Sequence, residues 1–433
     1  MHLENFIFSF ILIFALSLFS FNLWKIVRNI RLGKSKNRFD QPLKRTIILL
    51  KVAFGQTKLF ARPVSGLLHA IVYWGFLVIT IGTMEMMVDG IFNFDRSFGV
   101  LGGFYNLVTI SGDVMAVLVL VSCLIFMFRR LFLKIKRFSG KEMKKLSSID
   151  AIVALVIIVF LMFSLLTMNI GYLALEHAEI VGSYPISKHF VSLISNWEIS
   201  TIILFHKVSW WTHIMLVLIF LNELPYSKHF HVVMSIPNVY FSNIEHLGKM
   251  DNMPSVTKEV KLMMDPNADP YATPAADAPP PESFGAKDVT DLNWVQLMNA
   301  YSCTECGRCT SECPANQTGK LLSPRKIMMD TRQRLKEVGK NIDKHGKDYT
   351  DNKSLLNDYI TPEELWACTT CNACTEACPL NIDPLSIIMD LRRYLVMEQS
   401  AAPQELNMMF TNVENNGAPW QFPAADRLKW KDE

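Results

Sequence analysis

Five uninterrupted apolar stretches, at about residues 5–26, 65–88, 107–128, 149–172 and 200–223, decide what this chain can become. Each is long enough to cross roughly 30 Å of hydrocarbon as a helix, the form in which a segment satisfies all its backbone hydrogen bonds by itself. Of the 433 residues, 50% are hydrophobic and 19% are charged, and the apolar excess lies almost wholly before about residue 225. A single soluble globular enzyme is thereby excluded. The first stretch has no basic segment ahead of it and no small-residue cleavage site behind it, so it reads as a retained anchor and not as a signal peptide.

Charge orients the spans. Residues 1–250 carry 24 Lys+Arg against 13 Asp+Glu, whereas residues 251–433 carry 19 against 27, so +11 and −8 make up the net +3. The basic residues crowd the loop between the first and second spans (Lys25 to Arg62) and the loop between the third and fourth (Arg129 to Lys145). The alternate loops hold only Arg96 and only Lys188, each outnumbered by acids. By the positive-inside rule the N-terminus is outside and the basic loops are cytoplasmic, in a multi-pass protein of a bacterial cytoplasmic (inner) membrane. The basic residues flank apolar runs and are not interleaved with aromatics in a stripe, so no nucleic-acid partner is expected; membrane lipid is.

Four regions are expected: a five-span membrane domain (1–250), a Pro/Ala-rich linker (251–287), a soluble domain (288–400) and a C-terminal docking tail (401–433). Residues 46–60 read either as an amphipathic helix on the membrane surface or as a basic connecting loop. No alternating strand pattern occurs, and Thr361-Pro362-Glu363-Glu364 carries a helix-start signature. The expected fold class is all-α: a five-helix transmembrane bundle plus a cytoplasmic α-helical domain.

Nine cysteines are present, and eight fall in two runs of identical spacing, C-x-x-C-x-x-C-x-x-x-C-P, at Cys303, Cys306, Cys309, Cys313 and at Cys368, Cys371, Cys374, Cys378. Such spacing marks ligation in a reducing compartment and not disulfides. This is the bacterial ferredoxin run, in which three close thiolates take one [4Fe–4S] cluster and the fourth crosses to the other. One cluster is therefore expected on Cys303, Cys306, Cys309 and Cys378, and the second on Cys368, Cys371, Cys374 and Cys313. Zinc, which favours separated C-x-x-C pairs or mixed Cys/His sets, fits this spacing poorly. Cys123, alone in the third span, reads as a buried inert thiol.

Histidines within apolar spans are functional candidates, because an ionisable side chain there is costly without a partner. His69 lies in the second span, His206 and His213 lie in the fifth, and His229 and His231 lie just beyond it. From His206 to His213 is two turns on one face; from His213 to His231 is five, about 27 Å if the helix continues, with Pro225 favouring a kink between them. Haem b needs imidazoles facing each other from different helices, and these residues are the candidates. His177 and His189, in an outer loop, read as solvated or as quinone-site groups. Glu85, Asp89, Asp113, Glu176 and His177 are the ionisable groups near the outer helix ends, where quinone chemistry needs protons; Asp113 also reads as an interfacial acid.

The membrane half resembles the di-haem b gamma subunit of respiratory nitrate reductase, on the strength of the five spans, His69, and His213 with His231 across Leu224-Pro225-Tyr226-Ser227-Lys228-His229-Phe230-His231. The whole chain resembles heterodisulfide-reductase-like electron-transfer proteins, in which such a cytochrome is fused to a helical two-cluster ferredoxin. The resemblance pairs His69 with His231 around an inner haem and His213 with a second-span histidine around an outer one. That second position is Ile79 here. Either the outer haem is absent, or His206 or a methionine such as Met84 serves it, or His213 serves the inner haem instead of His231. The tail from Asn412 to Trp420 looks like the segment that leads into a C-C-G-type cysteine-rich domain in fused relatives, which implies that module as a separate iron–sulfur subunit, with a flavoprotein or dehydrogenase beyond it.

The expected function is electron transfer between a cytoplasmic redox partner and the quinone pool (menaquinone or ubiquinone) through two [4Fe–4S] clusters and haem b, with any catalytic substrate site on another subunit. The competing expectation is a haem-free membrane anchor whose ferredoxin domain serves soluble partners only.

Overall fold

The computed structural model describes residues 3–133, 135–138, 140, 142–143, 145–175, 180–267 and 283–432. Glu176 and His177, and most of the Pro/Ala-rich linker, lie outside the described residues. Five helices are long and apolar enough to cross a membrane: α1 (Leu3–Ile30), α2 (Pro63–Phe92), α3 (Gly103–Phe132), α4 (Lys145–Ala174) and α5 (Ile199–Glu223). No strand occurs among the described residues, so the fold is all-α. Large apolar side chains point outward along these helices, Phe10 at 72% exposure and Leu204 at 60%, as a protein solvated by lipid requires and a water-soluble one avoids.

Helices α2 to α5 pack in sequence order, and α1 lies against α2 and α5. Phe8, Leu12 and Ala15 of α1 meet Met86, Met168, Ile214 and Leu218, while Ala116, Val119 and Cys123 of α3 meet Leu161 and Met162 of α4. Cys123 is 1% exposed in that seam and free. At the start of α1, Asn5 Nδ2 donates to the Gly90 carbonyl at 2.8 Å.

The fifth span does not run on to His231. Pro225 lacks an amide proton, and the chain passes through two 3₁₀ turns, Leu224–Tyr226 and Lys228–Phe230, before α6 (His231–Tyr240) begins. The five-turn register between His213 and His231 is thus broken. The segment expected to be an extended linker also contains a helix, α7 (Pro254–Met264).

In the soluble part, α8 (Trp294–Ser302) runs through the centre, with Val295 to Ser302 all buried, flanked by α9 (Pro324–His345) and α10 (Pro384–Met397). Local chemistry sets the starts: Asn293 and Gln296 form a capping box on α8, and Thr361 and Glu364 form another on the short helix Pro362–Trp366. Arg334, 4% exposed, ties Asp288 and Asp351 together between α9 and the flanking loops. Helix α11 (Gln404–Asn416), in the tail, has no buried residue.

This part sits directly on the basic end of the bundle. One buried apolar cluster unites Ile26, Ile30, Leu224, Phe230 and Met234 with Leu297, Ala300 and Ile388. Asn29 Nδ2 donates to Tyr301 Oη at 2.9 Å, and Arg28 reaches the Gly339 carbonyl and Asp343. A Cβ on Gly339 would collide with the Asn29 side chain, so glycine sets how closely α9 approaches α1. Across the seam the Lys34 amide donates to the Leu292 carbonyl at 2.8 Å, and the Lys34 carbonyl accepts from the Trp294 amide at 3.1 Å. The opposed charges of the two halves meet here in Lys25–Asp343, Lys36–Asp251 and Arg62–Glu312. Exposed pairs of this kind contribute at most about 1 kcal/mol each, so the apolar seam carries most of the docking. The buried pair Arg325–Glu142, at 2.6 Å with Arg325 1% exposed, is the exception, since removing one partner strands the other.

Candidate functional site

The two cysteine runs fold alike. Each makes two left-handed backbone turns at matching positions, Glu305 and Gly307 in the first and Thr370 and Asn372 in the second, followed by one helical turn, Arg308–Ser311 or Ala373–Glu376. Such alternation of backbone hand turns successive N–H groups toward one concavity, an arrangement suited to an anionic group. Amides also reach the sulfurs directly: Thr370 N lies 3.4 Å from Cys368 Sγ, and Leu380 and Ile382 amides donate to Cys378.

The runs exchange their fourth cysteines. Cys303, Cys306, Cys309 and Cys378 line one cavity of about 390 Å³, together with Arg308 and Ile382. Cys313 lies instead within electrostatic reach of Cys368 and Cys374. Among the described residues no three His, Cys, Asp or Glu side chains gather closely enough to hold one metal ion. The thiols are spread, as they must be when each binds a different iron of a larger cluster. Burial pushes Cys303 up to about 11 and Cys374 and Cys378 up to about 12, so without metal these thiols stay protonated and loading releases protons.

Arg308, 6% exposed, joins this cavity to the membrane bundle. Its guanidinium donates to the Lys58 carbonyl at 3.0 Å and the Leu59 carbonyl at 3.4 Å, just ahead of α2. It lies within electrostatic range of Cys306, Cys378 and His69. Arg332 holds the Cys303 carbonyl at 2.7 Å and pairs with Glu305, which bonds Ser147 Oγ; Lys228 bonds the same serine. The first run is therefore wired to α4 and to the segment before α6. The second run meets the segment after the fifth span through Asn238, which donates to the Leu380 carbonyl at 2.8 Å, and meets Lys58 through Glu376, while its Cys371 is exposed. Sequence reasoning passed over Arg308, Glu305 and Glu142. The only signal was that charged residues stand at ligand-run and inner-loop positions where none is needed for solubility.

The membrane histidines divide into two places. His69 and His231 face each other with ring centroids 6.3 Å apart and planes tilted by 38°. Two imidazoles on one metal need about 6 Å between centroids, given bonds of about 2 Å from each nitrogen. His69 Nδ1 is buried without a hydrogen-bond partner, and His231 Nδ1 lies 3.2 Å from the Lys228 carbonyl, which leaves its Nε2 for a ligand. His229 is also near His231, at 6.2 Å, but its Nδ1 is engaged by Ser227 at 2.7 Å. His213 is elsewhere, 1% exposed, with Nδ1 3.1 Å from the Leu161 carbonyl. His206 rests against Tyr172 and Gly171 and does not line the cavity that holds His213.

Residues 302–382 match the family described as a 4Fe-4S dicluster domain, in a chain with five helices long and apolar enough to cross a membrane. It is 29% identical to a probable iron-sulfur-binding oxidoreductase, FadF, of Bacillus subtilis, over 97% of this chain and 59% of that protein. It is 27% identical to an EtfAB:quinone oxidoreductase of Syntrophomonas wolfei, over 98% of this chain and 59% of that protein. One component of a ferredoxin/F(420)H(2)-dependent CoB-CoM heterodisulfide reductase of Methanosarcina acetivorans is 33% identical over 28% of this chain and 60% of that protein. The matches thus take in about three fifths of the length of each of these relatives. No solved structure matches the chain.

Proposed function

We propose that this chain carries electrons between a soluble redox partner and quinone, through two crossed [4Fe–4S] clusters and one haem b. The observation that carries the reading is the position of Arg308, between the Cys303/Cys306/Cys309/Cys378 cavity and His69, itself facing His231. The first cluster is assigned to those four thiols and the second to Cys368, Cys371, Cys374 and Cys313. His69 and His231 would hold the haem, which supplies one-electron storage between the clusters and the membrane interior. The protein's own contribution is placement: the first run is fixed to the bundle, and the second presents Cys371 to an incoming partner. The basic loops support an orientation in which the part from residue 288 onward faces the cytoplasm at a bacterial inner membrane. The relatives' names support quinone and further redox proteins as partners; the cysteine-rich iron–sulfur subunit and the flavoprotein or dehydrogenase expected from the sequence would be among them.

Purified in mild detergent, the chain should hold about nine irons, eight in the clusters and one in haem, and show b-type bands on dithionite reduction. His69→Ala and His231→Ala should each abolish those bands and leave the cluster iron in place. A native protein with full cluster iron and no b-type absorption would instead leave a haem-free anchor for a ferredoxin serving soluble partners.

A further inference from the structure

A second cavity lies in the half of the bundle away from the cysteines, between α2, α3, α4 and α5. His213 is the one imidazole among the described residues that line it. Of the α2 residues that line it, Ile79 and Gly82 carry no ligating atom, and Met86, whose thioether could ligate, is packed with Phe8, Leu12 and Met168. Gly82 and Gly112 both border the space, and a Cβ added at either would meet nothing within 4 Å. The walls are apolar, with Val78, Val108, Leu165 and Met168 among them.

One end is polar. Glu85, 3% exposed, accepts from Tyr105 Oη at 2.9 Å and from the Phe98 amide at 3.0 Å, and Arg96 stands 4.0 Å from it. Ile79 and Glu85 are six residues apart, about 9 Å along α2, so the cavity is long enough for a flat ring with an oxygen at each end. Asp113 also lines it, but its oxygens accept from the Ile186 and Ser187 amides, from Ser187 Oγ and from Asn169. That carboxylate pins the 186–187 loop, which leaves Glu85 and His213 as the proton-exchanging pair. Nδ1 of His213 lies 3.1 Å from the Leu161 carbonyl and 3.2 Å from Ser164 Oγ, and in the tautomer that donates to the carbonyl Nε2 is the basic nitrogen.

We propose that this cavity binds the ring of a quinone, between His213 Nε2 at one edge and Glu85 at the other; the proposal rests on the quinone-linked reading above. When a quinol is oxidised there, its two O–H bonds break. One proton goes to His213 Nε2 and the other to the Glu85 carboxylate, and the two electrons leave singly for the iron–sulfur chain. Reduction of the quinone is the reverse.

The test uses the full chain in detergent with menadiol as reductant, following cluster reduction by stopped flow. Gly112→Leu and Gly82→Leu fill the space without touching a polar group, and each should slow reduction at least ten-fold with dithionite-reducible iron unchanged; His213→Gln should do the same. If menadiol reduces the native chain and all three variants equally fast, the site is wrong while the quinone-linked reading stands. If menadiol does not reduce the native chain at all, both fall. Loss of a b-type haem in His213→Gln would make the cavity a haem site and overturn the proposal.

Discussion

The two cysteine runs have the same spacing, the same pair of left-handed turns and the same proline after the fourth cysteine, yet they do different things. In the first, the residues between the thiols are Glu305, Gly307 and Arg308, and they engage Ser147, Arg137 and the Lys58–Leu59 backbone. In the second, the matching residues are Thr370, Asn372 and Ala373, and Cys371 is left exposed. A repeated cradle has become asymmetric through its non-ligand positions. Both copies touch the bundle, and only the second leaves a cysteine exposed.

That contrast can be broken most severely at the ligands. Cys306→Ser should lose about half of the bound iron, because its site is closed off, whereas Cys371→Ser should keep most of it, water or the hydroxyl completing an exposed corner. Equal loss from both, by iron analysis and electron paramagnetic resonance, would remove the distinction. Next in size is the seam beside the first run. Glu142→Ala should destabilise by roughly 3–5 kcal/mol by stranding Arg325, and Glu142→Met with Arg325→Met should recover most of that in thermal melts.

The left-handed positions offer a direct comparison. Thr370→Gly should stabilise by about 1 kcal/mol, since a β-branched residue is strained at φ 56. Glu305→Gly, at the same φ, should destabilise by about 1–3 kcal/mol, because it strands Arg332 and Ser147. If both stabilise, Glu305 holds nothing. The smallest effect is with pH. The Arg28 hydrogen bond, aided by Lys25, holds the Asp343 carboxyl below its ordinary value. Its contribution is present above the unfolded carboxylate range near 4 and is lost as pH falls through and below it, up to about 1 kcal/mol for so exposed a pair. Asp343→Asn should flatten that part of the acid-denaturation profile.

The five helices were legible because lipid demands long apolar runs, and the cysteine cradle because cubane ligation demands fixed spacing. The break before His231 was half legible: Pro225 announces it, but whether a chain kinks or leaves the helix depends on what packs beyond. In the structure the 3₁₀ turns are held by Asp150, which bonds Ser227 Oγ and the Lys228 amide from another helix. Asp113 was legible as a buried acid and not as a loop anchor, since its partners at 186–187 are more than 70 residues away. Arg308 was invisible as a bridge because nothing local distinguishes a docking arginine from a solvated one. The charge split predicted which surfaces attract, and geometry then decided that only a few pairs would be buried.

The Asn29–Tyr301 bond and the backbone bonds of Lys34 with Leu292 and Trp294 have a consequence for biogenesis. A ribosome completes the first span, and the whole bundle after it, long before residues 294–301 emerge, so the polar groups at the inner end of α1 wait without partners through most of synthesis. Only a soluble part folded around its own cradle can satisfy them. Assembly of the metal centres and maturation of the membrane bundle thus become a single checkpoint, and a chain that fails to load its clusters should show the defect at its first helix, as slow settling and early turnover of the whole protein.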